Sequence, residues 1–372
     1  MNGKIIALVT LLTLTPLLSS CGAVRTYYAD LKYEEEKNDM GEPDAHSDKF
    51  MYELADRFGL MALFADVAYR DDLRTLSKTY GEDGYLISEV LISDTLDSAC
   101  DYLDSEEPLP SYGMPSSTDP STKDVGYWAR WRGSDSIASS PCFNEEGLFY
   151  ETYVYYSPEA QNRRPEEAVI AFRGTENEGA QLWLDWRTNL TGAFGFEPRQ
   201  YELASTLVPE VIAALKAENP DVKIFTTGHS LGGGLAQQAG YLSKDVLEVF
   251  TFNTSPVTNW TSLARRGEVR NQFPVFHRVY NGGEVLGGLR DITTLFTKAR
   301  YNRHDIGIQV QPKDLIAGHS MTLISCHFAC LIERQGDTAA HQLTPTYIAQ
   351  ELIGEAKHCQ GYVDLGECAL RQ

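Results

Sequence analysis

The sequence predicts an α/β fold, a mostly parallel central sheet covered by helices on both faces, and three observations predict it. Downstream of Cys142, strand patterns and helical patterns follow one another in alternation. "EEAVIAFRGT" is a short apolar run ending in a glycine turn, as expected of a strand buried on both faces. "DVKIFTTGHSLGGGLAQQAG" passes from an apolar strand through a glycine-flanked serine directly into a small-residue helix. Composition agrees. A chain of 372 residues with 42% hydrophobic, 11% aromatic and 23% charged residues can bury a sizeable core. The formal net charge of -20 argues against nucleic acid as a partner, because nothing draws such a chain to phosphate backbones.

Taken in order, residues 1–20 read as an export signal: Lys4, then an apolar run from Ile5 to Leu18, then small residues before Cys21. The run is too short for a spanning helix. Its ending, "LSSC", resembles the bacterial lipobox, which implies that Cys21 is lipidated and becomes the new first residue of an exported, membrane-anchored lipoprotein. Gly22 in place of Asp after that cysteine is permissive for outer-membrane sorting, which would have the domain face the periplasm or the cell surface. The alternative is an ordinary signal peptide with a chance cysteine. Residues 21–48, rich in acidic and polar side chains, read as a tether, and residues 49–372 as the folded domain. "FMYELADRFGLMALFADVAYR" places Leu54, Phe58, Met61, Leu63, Phe64 and Val67 at helical spacing and opens that domain.

From about residue 98 to 142 the composition shifts to Ser, Asp, Pro and Gly, which predicts an irregular insertion. Its two tryptophans, Trp128 and Trp131, either pack in the interior or rim a pocket. "GLFYETYVYYS" then reads as a strand, "EEAVIAFRGT" as a strand, and "ASTLVPEVIAALKAENP" as a helix stopped by Asn219 and Pro220. "DVKIFTTG", "EVFTFNTSP" and "FPVFHRVYN" are strands, with the helix "LGGGLAQQAGYLSKD" after the first. With Cys21 lipidated, six cysteines remain, an even number that suggests disulfides in an oxidising compartment. Pairing Cys100 with Cys142 would close the insertion, leaving Cys326, Cys330, Cys359 and Cys368 to staple the C-terminal region. The rival is a metal site at Cys326, His327 and Cys330, whose spacing fits no common zinc motif.

The serine carries the chemistry. In Gly228-His229-Ser230-Leu231-Gly232, flanking glycines remove side chains that would clash at a sharp strand-to-helix turn, and Ser230 stands clear of the backbone there. The helix start offers the Leu231 backbone N–H and a partial positive charge to a developing oxyanion. A capping serine in a glycine-rich turn is the plainer alternative, but three consecutive glycines inside a helix cost stability and call for a reason. These residues resemble the class-three, fungal-type lipase family of the α/β-hydrolase superfamily, whose nucleophile turns are GHSLGG-like. "AVIAFRGTENEG" is similar to that family's strand and oxyanion loop, "LDWRTNL" to its Asp-Trp segment, and "LFADVAYRDD" to its opening helix. The resemblance spans roughly Phe50 to Ile324, with the Ser98 to Cys142 insertion outside it. It implies an α/β-hydrolase fold and a backbone N–H from Thr175 in the oxyanion site.

A serine hydroxyl needs a histidine base and an acid that orients it. In this superfamily the chain order is Ser, acid, His, which leaves His304, His319, His327, His341 and His358 as bases and removes the strand residue His277. "LIAGHSMTLI" resembles the family's histidine loop and implies His319, with His304 and His327 as alternatives. Position in "FHRVYNGGEVLGGL" implies Glu284 as the acid, where the family usually has Asp, and leaves Asp291 and Asp305 as rivals. His229 is expected to be structural. The chain therefore reads as a serine carboxylic ester hydrolase of the lipase or phospholipase type, acting on a lipid ester through an acyl-enzyme. It needs no cofactor and no metal, and it meets the membrane through lipidated Cys21. Alternatives are a small-ester hydrolase or acyltransferase on the same triad, and a non-catalytic lipid- or envelope-binding lipoprotein.

Overall fold

The computed structural model describes residues 48–69, 75–80, 86–93, 127–131, 133, 142–157, 164–174, 198–255, 257, 274–281, 303–308, 317–335, 363–364 and 369–370. Helix α1 (Asp48–Val67) opens the domain, and an antiparallel hairpin of β1 (Thr75–Tyr80) and β2 (Leu86–Ser93) follows. The central sheet has eight strands: β3 (Tyr127–Arg130), β4 (Cys142–Glu145), β5 (Leu148–Tyr156), β6 (Glu167–Phe172), β7 (Lys223–His229), β8 (Val246–Phe252), β9 (Val275–Asn281) and β10 (Arg303–Ile308). Their order is β10-β9-β8-β7-β6-β5-β3, with β4 also paired to β5. Strands β6 through β10 are parallel neighbours, whereas β5 runs antiparallel to β6, and β3 and β4 antiparallel to β5. This is the mostly parallel α/β architecture the alternating pattern predicts.

Period-two alternation assigns each strand residue to one of two cores. On β6, Val169 and Ala171 point to one face and Ala168, Ile170 and Phe172 to the other; Phe149 and Tyr153 against Leu148, Tyr150 and Val154 repeat the division on β5. The first face is covered by α1 and α4 (Met321–Gln335), the second by α2 (Arg199–Glu218) and α3 (Leu231–Leu242). The six apolar residues that predict α1 are all buried, and Phe64 stacks on Tyr153 at 4.7 Å and edge-on to Trp128 at 5.1 Å. Burying one such phenylalanine contributes roughly 1.5–3 kcal/mol, so α1 is an integral layer of the core. Trp128 and Trp131 are both buried, and the Trp131 indole N–H donates to the Glu218 carboxylate at 3.2 Å.

Several elements differ from the pattern read in the sequence. Helix α2 begins at Arg199, five residues before "ASTLV", although it ends at Glu218 with Asn219 as its C-cap, where the stop is expected. Strand β4 forms a hairpin with β5 through Glu146 (φ 51°) and Gly147 (φ 78°), the left-handed pair that a two-residue turn demands. Strand β3 lies inside the expected irregular insertion and pairs with the C-terminal half of β5. Cys142, Cys326 and Cys330 are buried, the latter two one turn apart on α4. Cys100, Cys359 and Cys368 lie outside the described residues, as do the export signal, Cys21 and most of the tether. Among the described residues no helix is long and apolar enough to cross a membrane.

One buried carboxylate joins α1 to α4. Asp66 is 4% exposed and accepts hydrogen bonds from Thr322 Oγ1 (3.1 Å) and Ser325 Oγ (2.6 Å). Asp66→Ala strands these donors in the interior and should lower the unfolding free energy by about 2 kcal/mol, read as a lower urea midpoint at unchanged slope.

Candidate active site

Four parallel strands deliver their C-terminal ends to one place. Strand β6 exits to Gly174, β7 ends at His229 and Ser230, β8 at Asn253, and β9 at Asn281. In an open parallel sheet this edge is where ligands and reactive groups gather, because the βα turns there are free to vary.

Ser230 occupies the turn between β7 and α3 with φ 54° and ψ -123°, a conformation that costs an L-residue on the order of 1–3 kcal/mol. The strain is imposed by packing. A Cβ on Gly228 would lie 2.4 Å from the Gly232 carbonyl oxygen, and one on Gly232 would lie 2.3 Å from the Phe172 carbonyl oxygen. Glycine at both positions is therefore what lets α3 start hard against the sheet. The Ser230 N–H donates to Phe252 O (3.1 Å), and the Ser230 carbonyl accepts from Ser255 N (3.0 Å), which bolts the turn to β8 and the segment after it. Ser230 sits at the N-cap of α3, yet its side chain makes no capping bond. Its Oγ lies instead 3.0 Å from His319 Nε2.

Of the histidines the sequence offers as bases, His319 is the one this distance selects. It ends a 3-10 turn, Ala317–His319, that leads into α4, and it is buried. His304 lies on β10 and stacks on His277 at 5.5 Å, His327 lies on α4 next to Phe328, and His341 and His358 fall outside the described residues. Of the acids, Asp305 on β10 accepts the Arg278 Nε–H at 2.6 Å, while Glu284 and Asp291 lie outside the described residues. Leu231 is the first residue of α3, where helix geometry leaves its N–H without an intrahelical partner. Thr175, the other expected oxyanion donor, falls outside the described residues. No group of three or more His, Cys, Asp or Glu among the described residues is arranged to hold a metal.

The turn that carries His319 is held by side chains sequence reading passed over. Asn253 Nδ2 donates to Gly318 O (3.2 Å) and His319 O (3.3 Å), Asn281 Nδ2 donates to Gly318 O (3.0 Å), and the Asn253 Oδ1 accepts the Asn281 N–H (2.8 Å). Both asparagines are buried, and Asn253 adopts φ 43°, a left-handed conformation that asparagine tolerates better than most. The signal that could have found them is positional: each is a polar residue where a buried parallel strand runs out. His229 is likewise buried. Its Nε2 lies 2.6 Å from His319 O and its Nδ1 2.9 Å from Tyr69 Oη, while Tyr69 Oη accepts the Gly174 N–H at 2.9 Å.

Two known protein groups resemble parts of this chain. Residues 136–286 match the phospholipase-like family described as a Tle-like phospholipase domain, a stretch that holds β6, β7, Ser230 and Asn253. The chain is also 33% identical over 96 residues to an extracellular phospholipase A1 of Serratia liquefaciens. That alignment covers 26% of this chain and 26% of the relative's length. Both matches point to similarity with lipases and phospholipases over part of this chain.

Two buried histidines couple the fold to pH. Burial, then the adjacent His319 imidazole, hold His229 well below the usual imidazole range. Burial also lowers His277, against the opposing hydrogen bond from its Nε2 to Glu248 at 2.7 Å. A histidine lowered in the folded state binds its proton more readily when unfolded, so stability falls as pH drops below the unfolded value of about 6.5. The urea midpoint should therefore decrease from about pH 7.5 to 5.5, and the decrease should be smaller in His229→Gln.

Proposed function

We propose that this chain is a serine carboxylic ester hydrolase of the α/β-hydrolase type that cleaves acyl esters of glycerophospholipids. The observation that carries the reading is the strained Ser230 turn with its Oγ 3.0 Å from His319 Nε2. A serine that declines the capping bond available to it and faces an imidazole is disposed as a nucleophile with its base. His319 takes the Ser230 proton as Oγ bonds to the ester carbonyl carbon, and the oxyanion so formed rests on the backbone N–H groups of Leu231 and Thr175. The tetrahedral adduct collapses, His319 returns the proton to the departing alcohol, and an acyl-Ser230 remains. Water, deprotonated by His319, then releases the fatty acid and restores the serine. Glu284 is the acid we assign to hold the His319 Nδ1–H.

Phospholipid is preferred over triacylglycerol because the family match over residues 136–286 and the Serratia relative both carry phospholipase descriptions. The lipobox-like ending at Cys21 completes the proposal: a lipid anchor would hold the domain near bilayer substrate and raise its effective concentration there. Export would also place Cys142, Cys326 and Cys330 in a compartment where the disulfides expected from the sequence persist.

The test is acyl release from phosphatidylcholine vesicles and from p-nitrophenyl esters of short and long chain. Ser230→Ala and His319→Ala should each lower kcat by about a thousandfold or more at unchanged thermal midpoint, while Glu284→Ala falls by a comparable or smaller factor. Cys21→Ser should move the protein from the membrane to the soluble fraction. Full activity in Ser230→Ala would remove the reading, and inactivity of the wild type on every ester would favour a lipid-binding role.

A further inference from the structure

Tyr69 follows α1 by two residues and is remote in sequence from every residue the proposed mechanism uses, yet it touches two of the strand exits that form the site. We propose that Tyr69 and His229 are a positioning pair: the Tyr69 hydroxyl fixes the His229 imidazole in its Nε2–H form, and that N–H holds the main-chain carbonyl of His319 so that its imidazole stays in register with Ser230. The inference rests on the reading of Ser230 and His319 as nucleophile and base.

Proton bookkeeping sets the direction of each bond. A carbonyl oxygen can only accept, so the 2.6 Å contact from His229 Nε2 to His319 O requires the hydrogen on Nε2. His229 is buried and held neutral, so it carries one ring hydrogen and Nδ1 is a lone pair. Tyr69 Oη, 2.9 Å from Nδ1, must then be the donor. Burial raises Tyr69 above the ordinary phenol range, which keeps that hydrogen in place. The contact from Tyr69 Oη to the His229 carbonyl, at 3.5 Å, is too long to compete for it. The hydroxyl oxygen in turn accepts the Gly174 N–H at 2.9 Å. One chain of donors therefore runs from Gly174 through Tyr69 and His229 to the backbone of His319, and each donation polarises the next.

The chain joins the two halves of the proposed site. Gly174 immediately precedes Thr175, so the hydroxyl that fixes His229 also holds the backbone that leads into the oxyanion loop. The His229 and His319 rings lie 4.8 Å apart, close enough that a change of tautomer at His229 would be felt at the base. Asn253 and Asn281 also hold this turn, through the Gly318 carbonyl and, for Asn253, the His319 carbonyl itself, so losing the His229 bond shifts His319 without releasing the turn. Displacement of a reacting group by about 1 Å is worth on the order of a hundredfold in rate.

The test compares Tyr69→Phe, His229→Gln and His229→Leu in the full chain, with Ser230→Ala alongside, by vesicle and p-nitrophenyl ester kinetics and by nitrogen-15 NMR of the imidazoles. Tyr69→Phe should lose about ten- to hundredfold in kcat while KM moves less than about threefold. His229→Gln, whose amide N–H can still donate to the His319 carbonyl, should keep about tenfold or more of the kcat that His229→Leu loses, at similar thermal midpoints. The wild-type spectrum should show His229 protonated at Nε2 alone across about pH 6 to 8, and Tyr69→Phe should show a mixture of tautomers. An unchanged kcat in Tyr69→Phe, equal activities for the Gln and Leu variants, or a hydrogen on His229 Nδ1 would each overturn the inference. If Tyr69→Phe does not fold, the wild-type spectrum and the His229 variants decide. Retained activity in Ser230→Ala would sink the nucleophile reading on its own, and the nitrogen spectrum would still test the pair.

Discussion

Everything at the site depends on how closely α3 approaches the sheet. At Gly232 the helix backbone comes so near the Phe172 carbonyl that no side chain fits, and Gly228 meets the same constraint from the strand side. The chain must therefore reverse within one residue, and that residue is Ser230, forced to φ 54°. Three consecutive glycines cost a helix of this kind on the order of 2–3 kcal/mol relative to alanine. The cost is offset by tertiary packing: α3 is buried along its whole length, in a core shared with α2 and β6. The result is a side chain lifted clear of the backbone beside a helix N-terminus, a place where a developing negative charge is welcome.

The proposed nucleophile needs a base held in step with it, and the His319 imidazole facing Ser230 is held through its own main chain. The carbonyls of Gly318 and His319 accept hydrogen bonds from Asn253, Asn281 and His229, which end β8, β9 and β7. Three adjacent parallel strands thus set the position of a turn that lies about ninety residues beyond the serine in sequence. Because these strands are bonded to one another in register, a shift in any one of them is opposed by its neighbours. Buried polar groups of this kind are costly when unpaired, and that cost is what makes the arrangement specific rather than adaptable.

Much of this was legible in the sequence, for reasons that differ by element. Strands β5 to β9 and helices α1 to α3 announce themselves through periodicity because burial on two faces leaves an unmistakable apolar run or stripe. The serine turn is legible because its glycines are sterically required, and His319 because the segment around it resembles a family loop. Strand β4 was hidden by its brevity and by the charged pair Glu145 and Glu146 at its turn, and β3 by the polar segment around it. Strand β10, "RHDIGI", mixes charge into what is an edge of the sheet among the described residues. Asn253, Asn281 and Tyr69 could not be read from spacing, since their roles come from contacts across 28 to 160 residues.

The central claim is that Ser230 is a nucleophile activated by His319, and covalent trapping tests it most directly. The protein would be reacted with a long-chain alkyl fluorophosphonate, and the adduct located by peptide mass spectrometry. The account predicts a single adduct on the peptide that contains Ser230, formed at least about a hundredfold more slowly in His319→Ala. No adduct under conditions that label a known serine hydrolase, or an adduct on another residue formed at the same rate in both proteins, would contradict it.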